Sequence, residues 1–265
     1  MSRHHDSPKV FDEMHENGLH DVPPEFVVPL CQQIDAMILE FAKKHLADSS
    51  DMVGLDIGAG TGGGSFVLLE ANPQLKIIGM DISQVAVDLL KKKATNAGLL
   101  PGRFEVFAAD ALEDSAWIQA KNHATNCFNK NTFGLVFSSF TIHHFTPSEK
   151  REVFQKIYDF LAPGGVFLLC DRFNCSGESS WMTDTILEFE IRWVHEKFEK
   201  EINSTQQSAE KSKLGQLRNS WIAHFMADDK PSSVSEHFEM LRKVGFSQVA
   251  NPLRYYQVGV LWAKK

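Results

Sequence analysis

Val53-Gly54-Leu55-Asp56-Ile57-Gly58-Ala59-Gly60-Thr61-Gly62-Gly63-Gly64 is the stretch on which the reading of the whole chain turns. A strand-like apolar run at 52–57 passes through a glycine-rich turn into a helical pattern at 63–71. Glycines there permit positive φ and, having no Cβ, let a ligand lie directly against the backbone.

The spacing of Gly58, Gly60 and Gly63 also satisfies G-x-G-x-x-G, which suits dinucleotides as well as other nucleosides. Asp56, two residues before the first of these glycines, separates the two. A carboxylate at the strand end repels a diphosphate and suits a ligand that carries an ammonium group and no pyrophosphate. S-adenosylmethionine (SAM), with an α-ammonium and a sulfonium, is such a ligand. The next strand pattern, 76–82, ends in Asp81, about 20 residues beyond the loop, where a carboxylate can accept both ribose hydroxyls. The third, 104–109, leads into Asp110 and Ala111, and a carboxylate there can meet an adenine amino group. Three acids at three successive strand ends mark the carboxyl edge, where open α/β sheets bind ligands. The competing reading makes each aspartate an ordinary helix N-cap.

Working outward, two more strand patterns occupy 133–140 and 166–173, with helical stretches near 63–71, 84–97 and 147–161. The crossover at 111–131 reads as a short helix around Trp117 and an Asn-rich loop. Strands alternating with helices specify a parallel sheet covered on both faces. At the start, residues 1–24 are polar, His-rich and interrupted by Pro23-Pro24, which predicts a mobile arm or loosely docked flap. Helical spacing follows at 29–46. After Phe173 the alternation stops. Residues 176–230 read as two or more helices with a charged linker around 199–213. A helix at 231–244, stopped by Gly245 as a C-terminal cap, precedes two strands, 247–255 and 257–264, so tightly joined that they must be antiparallel. The expected divisions are an arm and leading helix (1–50), a ligand-binding core (51–175), a helical insertion (176–230) and a closing helix and hairpin (231–265).

Composition is that of an ordinary globular chain, with 43% hydrophobic and 23% charged residues in 265. A formal charge of −7 supplies no bulk attraction to phosphate backbones, so nucleic acid is not the expected partner. The four cysteines, Cys31, Cys127, Cys170 and Cys175, show no metal-ligand spacing and read as reduced, mostly buried thiols. Residues 1–8 lack the apolar core of a signal peptide, and no apolar run is long enough for a membrane span. The expectation is a cytoplasmic protein acting on a small-molecule substrate, with no membrane partner and with the helical insertion as the surface for a homodimer.

Asp56-Ile57-Gly58-Ala59-Gly60-Thr61-Gly62 resembles the first motif of class I SAM-dependent methyltransferases. Asp81 and Asp110 match the next two motifs. Phe133 to Phe140 with Ile142-His143-His144 is similar to the fourth, and Leu161-Ala162-Pro163-Gly164-Gly165 to the turn before the fifth strand. The resemblance implies a seven-stranded Rossmann-like α/β sheet, mostly parallel with an antiparallel last strand, helices on both faces and the insertion after the fifth strand. It implies SAM as cofactor, held by Asp56, Gly58, Ala59, Gly60, Asp81, Ile82, Asp110, Ala111 and Ser139. Gly134 stands where the fourth motif usually carries an acid, at the start of its strand and away from the ligand edge. Val10-Phe11-Asp12-Glu13 and Val28-Pro29 are similar to the opening of carboxy-SAM synthase and its small methyltransferase relatives. That likeness brings Ser139, and Cys31, near the methionine part of the cofactor. Recognition of carboxy-SAM needs a late arginine; Arg218, the candidate, is out of step, so ordinary SAM is preferred.

The candidates for chemistry are His143 and His144, since imidazole titrates near neutrality and can take a proton from an acceptor. The alternative is a structural pair bonded to loop backbone. No neighbouring carboxylate or third histidine shows metal spacing in the sequence, so no metal is expected. Arg172, after Asp171, is read either as an orienter of an anionic substrate or as half of a salt bridge. Trp181, Phe189, Trp193, Phe198, Trp221 and Phe225 either cap an apolar acceptor or pack the insertion onto the sheet. Lys91, Lys92 and Lys93 read as a solvated helix face. The leading function is methyl transfer from SAM to a small organic acceptor. The others are a tRNA-modification enzyme of the carboxy-SAM type, a non-catalytic interaction protein, and an NAD-dependent oxidoreductase, which Asp56 and the terminal hairpin oppose.

Overall fold

The structure, a computed structural model, describes residues 8–16, 18, 22, 24–45, 52–175, 181–227 and 229–265. Expectations for 1–7, most of 17–23, 46–51 and 176–180 lie outside the described residues, as does the side chain of Phe225.

Seven strands form one sheet: β1 (Val53–Ile57), β2 (Lys76–Asp81), β3 (Phe104–Ala108), β4 (Phe133–Ser139), β5 (Leu161–Arg172), β6 (Gln248–Tyr255) and β7 (Val258–Lys264). Their order across the sheet is β3-β2-β1-β4-β5-β7-β6, with β7 antiparallel to both neighbours. This is the expected Rossmann-like architecture with a reversed hairpin. Every residue of β1 is buried, as a central parallel strand covered on both faces requires. The chain order reverses between β1 and β4, and the crevice beside that switch is where such sheets place ligands.

One face is covered by α3 (Cys31–His45), α4 (Gly63–Ala71) and α5 (Gln84–Asn96), through Ile34, Ile38, Leu68, Val87 and Leu90. The other carries α6 (Asp114–Phe128), α7 (Pro147–Phe160) and α10 (Val234–Val244), whose core includes Trp117, Phe154 and Leu241. The crossover expected to be half loop is one helix. Its buried stripe, Ala116, Trp117, Ala120, Ala124 and Phe128, is mostly alanine, so the asparagines between mask a continuous apolar face. At Gly134, an added Cβ would lie 2.8 Å from Met52 Cγ, so a larger residue at this strand start would displace Met52.

Two capping boxes start helices at the ligand edge: Thr146 with Glu149 on α7, and Ser233 with Glu236 on α10. Thr146→Ala removes the hydroxyl that accepts from the Glu149 N–H, and should lower unfolding free energy by ~1 kcal/mol in a denaturant titration. α10 ends on Gly245 at φ 122, the expected cap.

Among its described residues the insertion forms two long helices, α8 (Met182–Ser204) and α9 (Ser208–Ala227), separated at 205–207. The charged stretch expected as a linker is therefore mostly helix, its charges facing solvent. Phe198 is buried with Val22, Val194 and Leu217, while Trp181 is exposed. The N-terminal arm contains α1 (Pro8–Glu16) and α2 (Pro24–Val27). Far from loose, α1 is pinned by Asp12, whose carboxylate accepts from Ser83 Oγ at 2.6 Å and Val85 N at 3.2 Å. Of the cysteines, all free, Cys170 is buried, Cys31 and Cys175 are partly exposed and Cys127 is exposed, correcting the expectation of mostly buried thiols. Among the described residues no helix is long and apolar enough to cross a membrane.

Candidate active site

A cavity of about 650 Å³ opens at the carboxyl edge of β1, β2 and β4. Its wall contains Asp56, Gly58, Ala59, Gly60, Asp81, Ile82, Asp110, Ala111 and Ser139, together with His143, His144 and Arg172. The structure thus brings together every residue expected to hold the cofactor. Cys31, at the start of α3, does not reach the wall; Val27 and Val28 line it instead.

The glycine turn is shaped by what it must approach. Gly58 sits at φ 70, and a Cβ there would fall 2.0 Å from Thr141 Oγ1, so the β1 turn can lie against the β4 turn only without a side chain. A Cβ on Gly60 would meet nothing within 4 Å: its open side is the cavity. The amides of Gly58 and Ala59 donate to Met80 O at 2.8 and 3.0 Å, and that of Gly62 to Ala59 O. Gly60 N–H donates to Asp81 Oδ2 at 2.7 Å. These four donors are taken by protein, whereas a diphosphate cradle would aim its amides at the ligand. The turn is built to lie under a nucleoside, not to clamp a pyrophosphate.

Asp56 is buried. Its Oδ2 accepts from Ser65 Oγ at 2.6 Å, while Oδ1 has no partner. Burial, with the nearby Asp81 charge adding to it, raises its pKa from 3.8 to about 7 against the Ser65 hydrogen bond. An orphaned buried carboxylate oxygen on a cavity wall fits a cationic ligand group, and the SAM ammonium supplies one. Asp81 Oδ1 accepts from Ser83 N at 2.8 Å; burial pushes its carboxyl up and these amide bonds oppose that. Asp110 Oδ1 accepts from Leu112 N at 2.8 Å, fixing the turn before α6. None of the three is an N-cap, because Gly62, Ser83 and Glu113 hold those positions. The capping alternative therefore fails for all three.

The other end of the cavity is closed by Phe11 from α1, Phe140 and Phe145 after β4, and Trp221 and His224 from α9. Phe140 adopts φ 51, a left-handed conformation that a non-glycine residue holds only under local constraint. His143 and His144 occupy a short 3-10 turn between β4 and α7. His143 Nδ1 lies 2.5 Å from Asp171 Oδ1, and Nε2 lies 3.3 Å from Asp229 Oδ1. Burial opposes its charged form, but the two carboxylates outweigh it and raise the pKa to about 9. The carboxylates thus favour the protonated form of His143. His144 is the reverse: burial, with the positive charges of His143 and its neighbours, holds its pKa well below 6.5, so it is neutral. Arg172 Nη1 bonds Glu190 Oε2 at 2.7 Å and its Nε faces Asp229 Oδ2 at 3.6 Å. The salt-bridge reading of Arg172 prevails over that of a substrate anchor. Arg218 pairs with Glu199 and is absent from the cavity wall.

Asp229 and His224 were not singled out from sequence. Asp229 arrives on the strap 229–233, which is fastened by Lys150 Nζ donating to Lys230 O at 2.5 Å and Ser232 Oγ at 3.1 Å. Lys230 N–H donates to His143 O at 2.7 Å, which ties the strap to the histidine turn. Nothing local in a run of acids and lysine marks it. The signal is the buried Lys150 on an otherwise amphipathic helix, which needs acceptors brought from elsewhere.

Residues 55–167 match a family described as "Methyltransferase domain". A carboxy-S-adenosyl-L-methionine synthase of Helicobacter hepaticus is 25% identical over 263 residues, covering 97% of this chain and 91% of the relative. A phosphoethanolamine N-methyltransferase of Plasmodium falciparum is 28% identical over 154 residues, 57% of this chain and 51% of its own. Among solved structures, "PigF with SAH" superposes with a TM-score of 0.57 at 18% identity, covering 98% of this chain. This chain spans 62% of that protein's length, and the likeness is one of fold.

Proposed function

We propose, for a chain that is a class I SAM-dependent methyltransferase, that the acceptor is a small organic molecule with an apolar body. The observation that carries this is the two-ended cavity. Asp56, Asp81 and Asp110 occupy one end, and the remaining volume is lined by aromatic side chains of α1, α9 and the β4 turn together with His143, His144, Arg172 and Asp229. Such a pocket desolvates a flat or hydrocarbon acceptor. Two of its cations are paired, Arg172 with Glu190 and Asp229 and His143 with Asp171 and Asp229, and Lys93 of α5 also stands on the wall.

SAM supplies a methyl group on a sulfonium, an already activated leaving group, so the protein's contribution is chiefly alignment and exclusion of water. Asp56 and Asp81 fix the cofactor's two ends, and the aromatic walls hold the acceptor against its methyl group. The preference for SAM over carboxy-SAM rests on Arg218, which is committed to Glu199 outside the cavity.

The test has two arms. Mass spectrometry of the ligand carried through purification should give SAM or S-adenosylhomocysteine (SAH) without the additional carboxyl. A screen of hydroxyl-, thiol- and amine-bearing aromatics and short aliphatics, read as SAH release, should find turnover. Carboxy-SAM in the purified protein, or turnover only with RNA, would overturn the assignment.

A further inference from the structure

We propose that His143, His144 and Asp229 bind a first-row divalent metal ion at the acceptor end of the cavity. The proposal rests on the acceptor-pocket reading above and says what acts on the acceptor there. One ligand atom from each residue lies within 4.8 Å of the others, and all three residues line the cavity. Asp229 Oδ1 is 3.3 Å from His143 Nε2 and 3.8 Å from His144 Nδ1. Ligands about 2.0–2.1 Å from one ion at tetrahedral angles stand roughly 3.4 Å apart, so only small rotations are needed.

Two further features fit a metal site better than a chance cluster. The other nitrogen of His143, Nδ1, is bonded to the buried Asp171 carboxylate at 2.5 Å. That is the carboxylate–histidine–metal arrangement that fixes the ring, and on binding the metal takes the place of the proton on Nε2. Asp229 is aimed from its other side, where its Oδ2 faces Arg172 Nε at 3.6 Å. Two imidazoles and one carboxylate on one side of an ion leave positions open toward the cavity, a set that suits Zn²⁺, Mn²⁺, Fe²⁺ or Co²⁺ rather than Ca²⁺.

The chemical consequence is an acceptor bearing a hydroxyl or thiol. Coordination lowers the pKa of such a group, and its proton leaves to solvent. The heteroatom–methyl bond then forms as the sulfur–methyl bond breaks, with the electron pair remaining on sulfur and no change in the metal's oxidation state.

Chelator-stripped full-length protein titrated with Co²⁺, followed by visible absorption, and with Zn²⁺, followed by calorimetry, tests this. A Cys127→Ser background excludes the separate surface group of Glu105, His123 and Cys127. Near-stoichiometric binding is expected. Asp229→Asn and His144→Ala should weaken it about 100-fold, and Asp171→Asn about 10-fold, in the range found for ligand-supporting partners. SAH binding by the Asp229→Asn protein verifies folding, and Asp81→Ala should bind metal normally while losing SAH. Failure of the acceptor screen with metal binding intact would refute the small-acceptor reading alone. Absence of metal binding in the background protein, or binding unchanged by Asp229→Asn and His144→Ala, would overturn the metal site and leave SAM binding untouched.

Discussion

Asp81→Ala should weaken binding of SAM and SAH by at least about 100-fold in isothermal titration. The ribose hydroxyls donate to an ionised acceptor, and two such bonds at ~1.5–3 kcal/mol each account for a loss of that size. The same carboxylate organises the site before ligand arrives, because its two oxygens accept from Gly60 N–H and Ser83 N–H. Removing it leaves the Gly60 amide without its acceptor and loosens the turn on which the nucleoside lies. Asp81→Asn retains one carbonyl oxygen and should fall between the two. The sheet core does not use this side chain, so the alanine variant should keep the wild-type circular dichroism spectrum. Affinity within threefold of wild type would remove the ribose from Asp81 and with it the proposed orientation of the cofactor.

The sheet and the nucleoside end were legible because their signals are local and periodic. The run 53–57 is buried on both faces and apolar except for Asp56, so that aspartate stood out as functional. The acids at 81 and 110 follow strand patterns of their own and needed only the rule that ligands bind at carboxyl ends. The acceptor end was less legible for a physical reason. His143 was visible, but the carboxylates that govern it, Asp171 and Asp229, come from β5 and from the strap after α9. Its protonation state is a tertiary property that no local pattern displays. The docking of α1 was hidden likewise: Asp12 gives no sign in a polar arm that Ser83, 71 positions away, is its partner. In α6 the asparagines obscure the helix, which needs only its inward stripe to be small and apolar.

The affinity of the protein for SAM should follow a bell-shaped pH curve, and Asp56 should set its acidic arm. In the ligand-free protein burial holds this carboxyl at about 7, raised from 3.8, so at pH 5 it is mostly protonated. An ammonium bound against the orphaned Oδ1 favours the ionised form, and below neutrality binding must therefore expel the proton. Apparent affinity should rise roughly tenfold per pH unit up to pH 7, since a one-unit shift corresponds to ~1.4 kcal/mol. Above about pH 8 the α-amino group of the ligand loses its own charge, and affinity should fall again. The sign reverses for stability. A carboxyl whose folded pKa is raised contributes stability that is fully present at low pH and lost as pH rises from about 4 to about 7. The ligand-free protein should therefore lose stability across that window, while SAM protects most at its upper end. Asp56→Asn removes the titrating group: it should abolish the acidic arm, keep the basic one, and flatten the stability profile of the ligand-free protein. Calorimetric titrations in two buffers of different ionisation enthalpy, at pH 6, would count the proton directly. Release of none, or an acidic arm that survives in Asp56→Asn, would show that the ammonium is held elsewhere.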